Sequence, residues 1–287
     1  MLSGASRFDL VTQAGLKYPD TTDDLINVFQ AVNKKERVAA YVTDSHYGWT
    51  FIPYLQAFGG NVFRNPPDDL FPTLDTPEAI AAADYFARLI REFGPNGGLT
   101  YTADQSTQAL KLGRVNFSDS SQAYLAQLGD PASSRTLKTV NFGQLVQGPA
   151  GRFPGMAVHA LGIPTGSKNK EAAWAFIQWA LSKQTTQRAV QAGYGSPTRR
   201  SDIDSQAYRS KQIINGVDLA QLSLGAIERA AQGGYMKYRT VDVYPQVDQQ
   251  LNKAIALIIS GQLSAKQAMQ QAQTASIADL RRSGAKI

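Results

Sequence analysis

The sequence predicts a helix-rich α/β fold, and three features point to it. Capped helix starts recur, most clearly at Thr76-Pro77-Glu78, where a capping threonine precedes a proline in the first helical position and an acid in the first turn. Apolar runs of strand length stand between the helical stretches, at residues 38–42 and 156–163. The first of these runs leads directly into His46-Tyr47-Gly48-Trp49-Thr50-Phe51-Ile52-Pro53-Tyr54-Leu55-Gln56-Ala57-Phe58-Gly59-Gly60. Ligands of open α/β sheets bind at that place, beyond the C-terminal end of a strand.

Residues 8–16 read as a short helix stopped at Gly15. Thr21 or Thr22 caps the next helix, with Asp23 and Asp24 near its positive end and Leu25, Val28, Phe29 and Val32 on one face. In the aromatic stretch, Pro53 suits the first turn of a helix and Gly59-Gly60 its end, so residues 46–60 read as a loop, a short helix and a glycine turn. Its rings are either core or a ligand-facing surface. A polar, proline-rich loop follows through Pro72. The helix begun at Thr76 presents Ile80, Ala83, Phe86, Ala87 and Ile90 to the core.

Residues 104–112 form another helix, residues 114–118 a strand, and Asp119-Ser120-Ser121 the cap of a further helix containing Tyr124 and Leu125. A strand is expected at 139–142 in a loop-rich region. After the strand at 156–163 comes a helix with Ala173, Phe176, Ile177, Ala180 and Leu181 on one face, flanked by Trp174 and Trp179. A second short helix covers 185–192, and a glycine- and proline-punctuated crossing covers 193–200. The remainder is helical by pattern, with helices at 244–259 and after the capping Ser264.

The 287 residues suffice for two domains or lobes. The absence of cysteine excludes disulfides and thiolate catalysis, and with His46 and His159 as the two histidines a multi-histidine metal site is excluded too. No metal or cofactor is expected. The net charge of +6 is dispersed, and its longest basic runs are pairs such as Arg199-Arg200, so a solvated surface is expected and no nucleic-acid partner. No apolar run approaches the ~20 residues that span a bilayer. Met1-Leu2-Ser3-Gly4-Ala5-Ser6-Arg7 lacks a charged leader before a long apolar core, so no signal peptide is expected in this sequence.

Several blocks, in order, resemble the sugar-binding family of extracytoplasmic solute-binding proteins of ABC importers, related to maltose-binding protein. They are Phe8-Asp9-Leu10-Val11-Thr12-Gln13-Ala14-Gly15-Leu16-Lys17-Tyr18-Pro19-Asp20-Thr21, with Thr22 where the family usually has tryptophan; the aromatic block from Trp49 closing in Gly59-Gly60; Leu110-Lys111-Leu112-Gly113-Arg114-Val115-Asn116-Phe117; Gly195-Ser196-Pro197-Thr198-Arg199-Arg200-Ser201; and Ser260-Gly261-Gln262. The most specific is Gly162-Ile163-Pro164-Thr165-Gly166-Ser167-Lys168-Asn169-Lys170-Glu171-Ala172-Ala173-Trp174-Ala175-Phe176-Ile177-Gln178-Trp179.

The resemblance implies a type II periplasmic-binding-protein-like fold. Residues 1–155 and 200–287 would form a nearly complete second lobe. Residues 156–199 would be a returning segment of a first lobe whose N-terminal core is missing, leaving Trp174, Phe176 and Trp179 exposed. The implied function is binding of a sugar or polyol between lobes and delivery to a membrane-embedded ABC permease, by a monomeric periplasmic or extracytoplasmic protein that is not an enzyme.

By the same resemblance the ligand would meet Tyr47, Trp49, Thr50, Asp119, Ser120, Gln122 and Tyr124, with Gly155, Met156 and Arg199 at the crossings between lobes. Phe51, Tyr54 and Phe58 would pack beneath. Arg199 has the donor fork to hold hydroxyls, and a hinge ion pair is its alternative. The family often carries tryptophan near positions 122 and 124, whereas Tyr124 is the aromatic residue here, which favours a small sugar or polyol. The alternatives are a truncated fragment without cargo function and a carbohydrate-active α/β hydrolase built on Asp44, His46 and Asp119, which no nucleophile elbow or phosphate loop supports.

Overall fold

The computed structural model describes residues 2–34, 37–156, 159–233 and 237–287. The chain opens on a strand, β1 (Leu2–Arg7), which the sequence reading did not anticipate. Its residues, Leu-Ser-Gly-Ala-Ser-Arg, have the composition of a loop. They are small because large rings press against them: a Cβ on Gly4 would meet the Tyr18 hydroxyl and would lie 2.6 Å from Cζ of Phe117. Helix α1 (Phe8–Gln13) ends before Gly15, which has the left-handed φ of +73° expected of a glycine stop. Helix α2 (Thr22–Val32) starts at Thr21, whose hydroxyl accepts from the Asp24 amide while the Asp24 carboxylate accepts from the Thr21 amide.

Strand β2 (Ala39–Thr43) is wholly buried. The aromatic stretch that follows is helical almost throughout: α3 (Tyr47–Thr50) runs into α4 (Ile52–Ala57). The loop expected before Pro53 is therefore a helical turn, and the Pro53 ring sits in the first turn of α4. Residues 61–72 hold a hairpin of β3 (Phe63–Asn65) and β4 (Asp69–Pro72) instead of a plain loop. Helix α5 (Pro77–Phe93) is capped by the Thr76 hydroxyl and buries Ala79, Ala83, Phe86, Ala87, Ile90 and Phe93. Helix α6 (Ala103–Lys111) starts from a Thr102–Gln105 capping box.

Strand β5 (Val115–Ser121) runs three residues further than the sequence suggested. Asp119 and Ser120 therefore lie inside it and do not cap α7 (Gln122–Leu125), whose first turn receives no side-chain cap. Strand β6 (Val140–Gly143) completes a four-stranded sheet in the order β2-β5-β1-β6. β2 and β5 are parallel; β1 runs antiparallel to both β5 and β6. The buried apolar side chains around the sheet form two main clusters. The larger, around Phe29, Phe51, Phe86, Leu251 and Ile255, joins α2, α4 and α5 to helices from the end of the chain. The smaller gathers Leu110, Val115, Leu125, Phe142 and Leu219.

The strand expected at 156–163 is not seen: Met156 and residues 159–163 have no regular structure, and 157–158 lie outside the described residues. A strand needs a ladder partner, and no neighbouring strand is offered to this segment among the described residues. Helices α8 (Lys170–Ala180) and α9 (Lys183–Gln191) follow, then α10 (Arg200–Ile203) and α11 (Gln206–Gln212). A two-residue pairing of β7 (Ile213–Ile214) with β8 (Val217–Asp218) leads to α12 (Leu219–Gly233). After a 3-10 turn at Lys237–Arg239 come α13 (Tyr244–Ile259) and α14 (Ala265–Arg282), which pack on each other and on α5.

Helix α8 buries no residue, although it is the most apolar-patterned helix of the sequence. Trp174 is 51% exposed and Trp179 62%, with Phe176 and Leu181 beside them. An apolar surface of this kind drives association. Replacing Trp174 and Trp179 together by serine is expected to suppress concentration-dependent light scattering while leaving the unfolding free energy within about 0.5 kcal/mol, because exposed side chains contribute little to folding. A large loss of stability in urea titration would mean that the face is covered.

Candidate functional site

Four separate segments meet along one edge of the sheet. Parallel β2 and β5 release the chain at the same end, since Thr43 is paired with Asp119. β2 leads into Asp44, His46 and α3; β5 leads into Gln122 and Tyr124. The start of antiparallel β1 falls on the same edge, with Leu2 opposite Ser121. The Leu2 amide donates to the Gly155 carbonyl at 2.6 Å, which ties the 155–156 crossing there as well.

Helix α3 is fixed by α13. The Gly48 amide donates to Oδ1 of Asn252 at 3.3 Å, and the Tyr244 hydroxyl donates to the Gly48 carbonyl. A side chain at Gly48 would overlap the Asp248 carboxylate, so glycine is required here for close approach. Asp44 accepts from the His46 amide, an Asx turn that shapes the exit from β2.

His46, whose side chain is 53% exposed, faces Asp248 across this contact, with Nε2 3.5 Å from Oδ2. The hydrogen bond to Asp248 raises the His46 pKa above the ordinary histidine value; the fields of Asp248 and Asp44 add to it, against burial and the charge of Arg239. Trp49 is half-buried, and the Arg239 guanidinium lies over its ring, 5.1 Å from the centroid. The same guanidinium is 5.8 Å from the Tyr244 ring centroid.

A raised histidine pKa stabilises the fold below the unfolded value of about 6.5 and loses that contribution as pH rises through the folded value. Stability from this pair is therefore expected to fall as pH rises above about 6.5. His46→Gln should flatten that part of the thermal-midpoint profile; an unchanged profile would mean the pair is not formed.

The sequence-predicted residues divide by environment. Trp49, Gln122, Tyr124 and Met156 are partly exposed at the edge. Gln122 donates to the Leu219 carbonyl and accepts from the Ser223 hydroxyl, so α12 orients it. Tyr47 and Thr50 turn inward: the Tyr47 hydroxyl donates to the Leu99 carbonyl at 2.7 Å, and the Thr50 hydroxyl donates to the Asp44 carbonyl at 3.0 Å. Phe51 and Tyr54 are buried beneath them, and Phe58 is half-buried against the same core.

Asp119 is 1% exposed. Its Oδ2 accepts from the hydroxyls of Tyr41 at 2.7 Å and Tyr54 at 2.8 Å, and its Oδ1 has no partner among the described residues. Burial raises its pKa and outweighs the hydroxyl donors that lower it. This carboxyl holds tyrosines in the core; it does not line the edge. Ser120 is likewise buried, and Gly155 is pressed against the Leu2 side chain, which a Cβ would strike. Arg199, expected to meet the ligand with a hinge ion pair as its alternative, instead donates to the Leu181 carbonyl at the C-terminus of α8, as a helix cap.

Sequence reasoning missed Asp248 and Arg239. Tyr244 and Asp248 stand one helical turn apart on α13 and share a face. Nothing in the sequence connected that face with His46.

The fold is that of solute-binding proteins of ABC transporters. One solved example, from Agrobacterium radiobacter K84 in complex with ribitol, superposes with a TM-score of 0.80 at 23% identity over 96% of this chain and 68% of that one. Another, from Agrobacterium vitis S4 with bound D-mannitol, gives 0.81 at 19% identity over 99% and 71%. The erythritol/L-threitol-binding protein of Mycolicibacterium smegmatis is 23% identical over 197 residues, 66% of this chain and 41% of that protein, so the match spans under half the length of this curated relative. The chain belongs to the bacterial extracellular solute-binding protein family, whose model matches residues 6–187. Among the described residues no helix is long and apolar enough to cross a membrane.

Proposed function

We propose that the sheet edge carrying Trp49 is one wall of a site that binds a sugar or polyol reversibly, outside the cytoplasm, for delivery to a membrane-embedded ABC permease. Trp49, Gln122, Tyr124 and Met156 face the solute; Tyr47, Thr50, Asp119, Ser120 and Gly155 hold the wall from below. Residues 1–155 and 200–287 make one lobe of the binding unit, residues 156–199 belong to the other, and the protein works as a monomer. The chemistry is binding alone.

The observation that carries this reading is the convergence of four chain segments on one edge, with a half-exposed indole flanked by hydrogen-bonding side chains. Polyhydroxylated ligands need that combination, and the two solved Agrobacterium proteins that share the fold hold ribitol and D-mannitol. The hydrolase alternative draws on Asp119, whose burial and paired tyrosine donors tie it to the core.

A second reading, that this chain binds no solute by itself, is favoured by the uncovered face of α8. Thermal denaturation with a panel of erythritol, ribitol, D-mannitol and common monosaccharides separates the two. Binding at a hundred times Kd adds about 2.7 kcal/mol to the folded state and raises the midpoint by several degrees. A midpoint unmoved by every compound would favour the second reading.

A further inference from the structure

The Arg239–Trp49 stack bears on which solutes this wall accepts, and the inference rests on the binding role proposed above. A cyclic sugar gains its affinity for an indole by laying the C–H face of the ring on an open aromatic face. Here a face of Trp49 is occupied by the Arg239 guanidinium, 5.1 Å from the ring centroid. The same planar group reaches toward Tyr244 at 5.8 Å, so it sits in a two-ring aromatic cradle. Among the described residues Arg239 forms no ion pair, and its guanidinium has the donor fork to hold hydroxyls.

The groups around it alternate in hydrogen-bonding character. Asp44 and Asp248 accept, His46 between them donates when protonated, and Arg239 donates. Each hydroxyl of an open-chain polyol is both donor and acceptor, and its carbons present no broad apolar face. Such a chain can meet acceptors and donors that lie side by side. A pyranose stacking on that face would have to displace the guanidinium and lose its cation–π contact.

We infer that Arg239, by covering Trp49 and presenting its donors beside Asp44, His46 and Asp248, makes this site selective for open-chain polyols over pyranose rings. The residue acts in specificity, as a ligand contact and as a cover on the stacking surface.

Titration calorimetry on the whole chain tests this with ribitol and D-mannitol as open-chain probes and methyl β-D-glucopyranoside as a ring that cannot open. The unmodified protein is expected to bind at least one polyol more than tenfold tighter than the glucoside. Arg239→Ala should weaken polyol binding by about 10- to 100-fold, the usual loss of hydrogen bonds to a charged group, and should strengthen glucoside binding by freeing the indole. Arg239→Lys keeps the charge without the planar stack; it should retain the fold and still lose most of the preference. It decides the matter if the alanine variant does not fold. A glucoside bound as tightly as the polyols by the unmodified protein, or a preference unchanged in Arg239→Lys, would overturn the inference and leave the binding role intact. Absence of heat with all three compounds would overturn the binding role and this inference with it.

Discussion

Asp119→Ala is expected to lower the unfolding free energy by about 2–4 kcal/mol, measured by urea denaturation. The carboxylate is the acceptor for two buried hydroxyls, those of Tyr41 and Tyr54. Removing it leaves both without a partner, at about 1–3 kcal/mol each. Relief of a desolvated carboxyl offsets part of that loss, which places the expectation below the sum. Asp119→Asn should cost less, because its carbonyl oxygen still accepts from the tyrosines. The two variants also separate by pH. Burial raises the Asp119 pKa, so its contribution to stability is fully present below the unfolded value of about 3.9 and is lost as pH rises through the folded value. The difference in stability between the unmodified protein and Asp119→Asn should therefore change as pH rises above about 3.9. A flat difference would show that the carboxyl is not desolvated.

Gly4→Val is expected to be at least as damaging. Gly4 lies in β1, hydrogen-bonded on both sides, opposite Asp119 on β5 and Gly143 on β6. A Cβ there would strike the Tyr18 hydroxyl and Cζ of Phe117, and Phe117 is itself locked among Phe29, Tyr18 and Tyr41. Overpacking of a closed core costs about 1–3 kcal/mol and more where the backbone must move. A central strand cannot shift without disturbing both neighbours, so a loss of about 3 kcal/mol or failure to fold is expected. Gly162→Ala serves as the control: no atom lies within 4 Å of its added Cβ, and the change should be neutral to about 0.5 kcal/mol. Equal effects of the two substitutions would contradict the packing of β1.

The helices were largely legible in the sequence. α13 occupies the residues its periodicity marks, Tyr244–Ile259, and the capping signals at Thr21, Thr76 and Ser264 each start a helix. These features are local, and so visible in a linear pattern. β1 was not legible, because its small residues answer to Tyr18 and Phe117 across the sheet, a demand that no local pattern records. The run at 156–163 has strand composition yet no strand, since pairing is a property of neighbours.

The candidate site shows the same division. Trp49 could be picked out as an aromatic after a strand, but the inward turn of Tyr47, Thr50 and Asp119 follows from partners at Leu99, Asp44, Tyr41 and Tyr54. Polar side chains in a binding motif and polar side chains in a buried network have the same letters. Arg239 and Asp248 reach Trp49 and His46 from the far end of the chain, so their part in the site appears only once α13 is docked on α3.

The claim that the solute lies against this wall can be read from one residue. The chain has three tryptophans, and with Trp174 and Trp179 changed to phenylalanine the emission comes from Trp49 alone. Titrating that variant with ribitol or D-mannitol is expected to give a saturable change in Trp49 emission whose midpoint matches the Kd from calorimetry. Saturable heat with a silent Trp49 would place the ligand elsewhere and contradict the account.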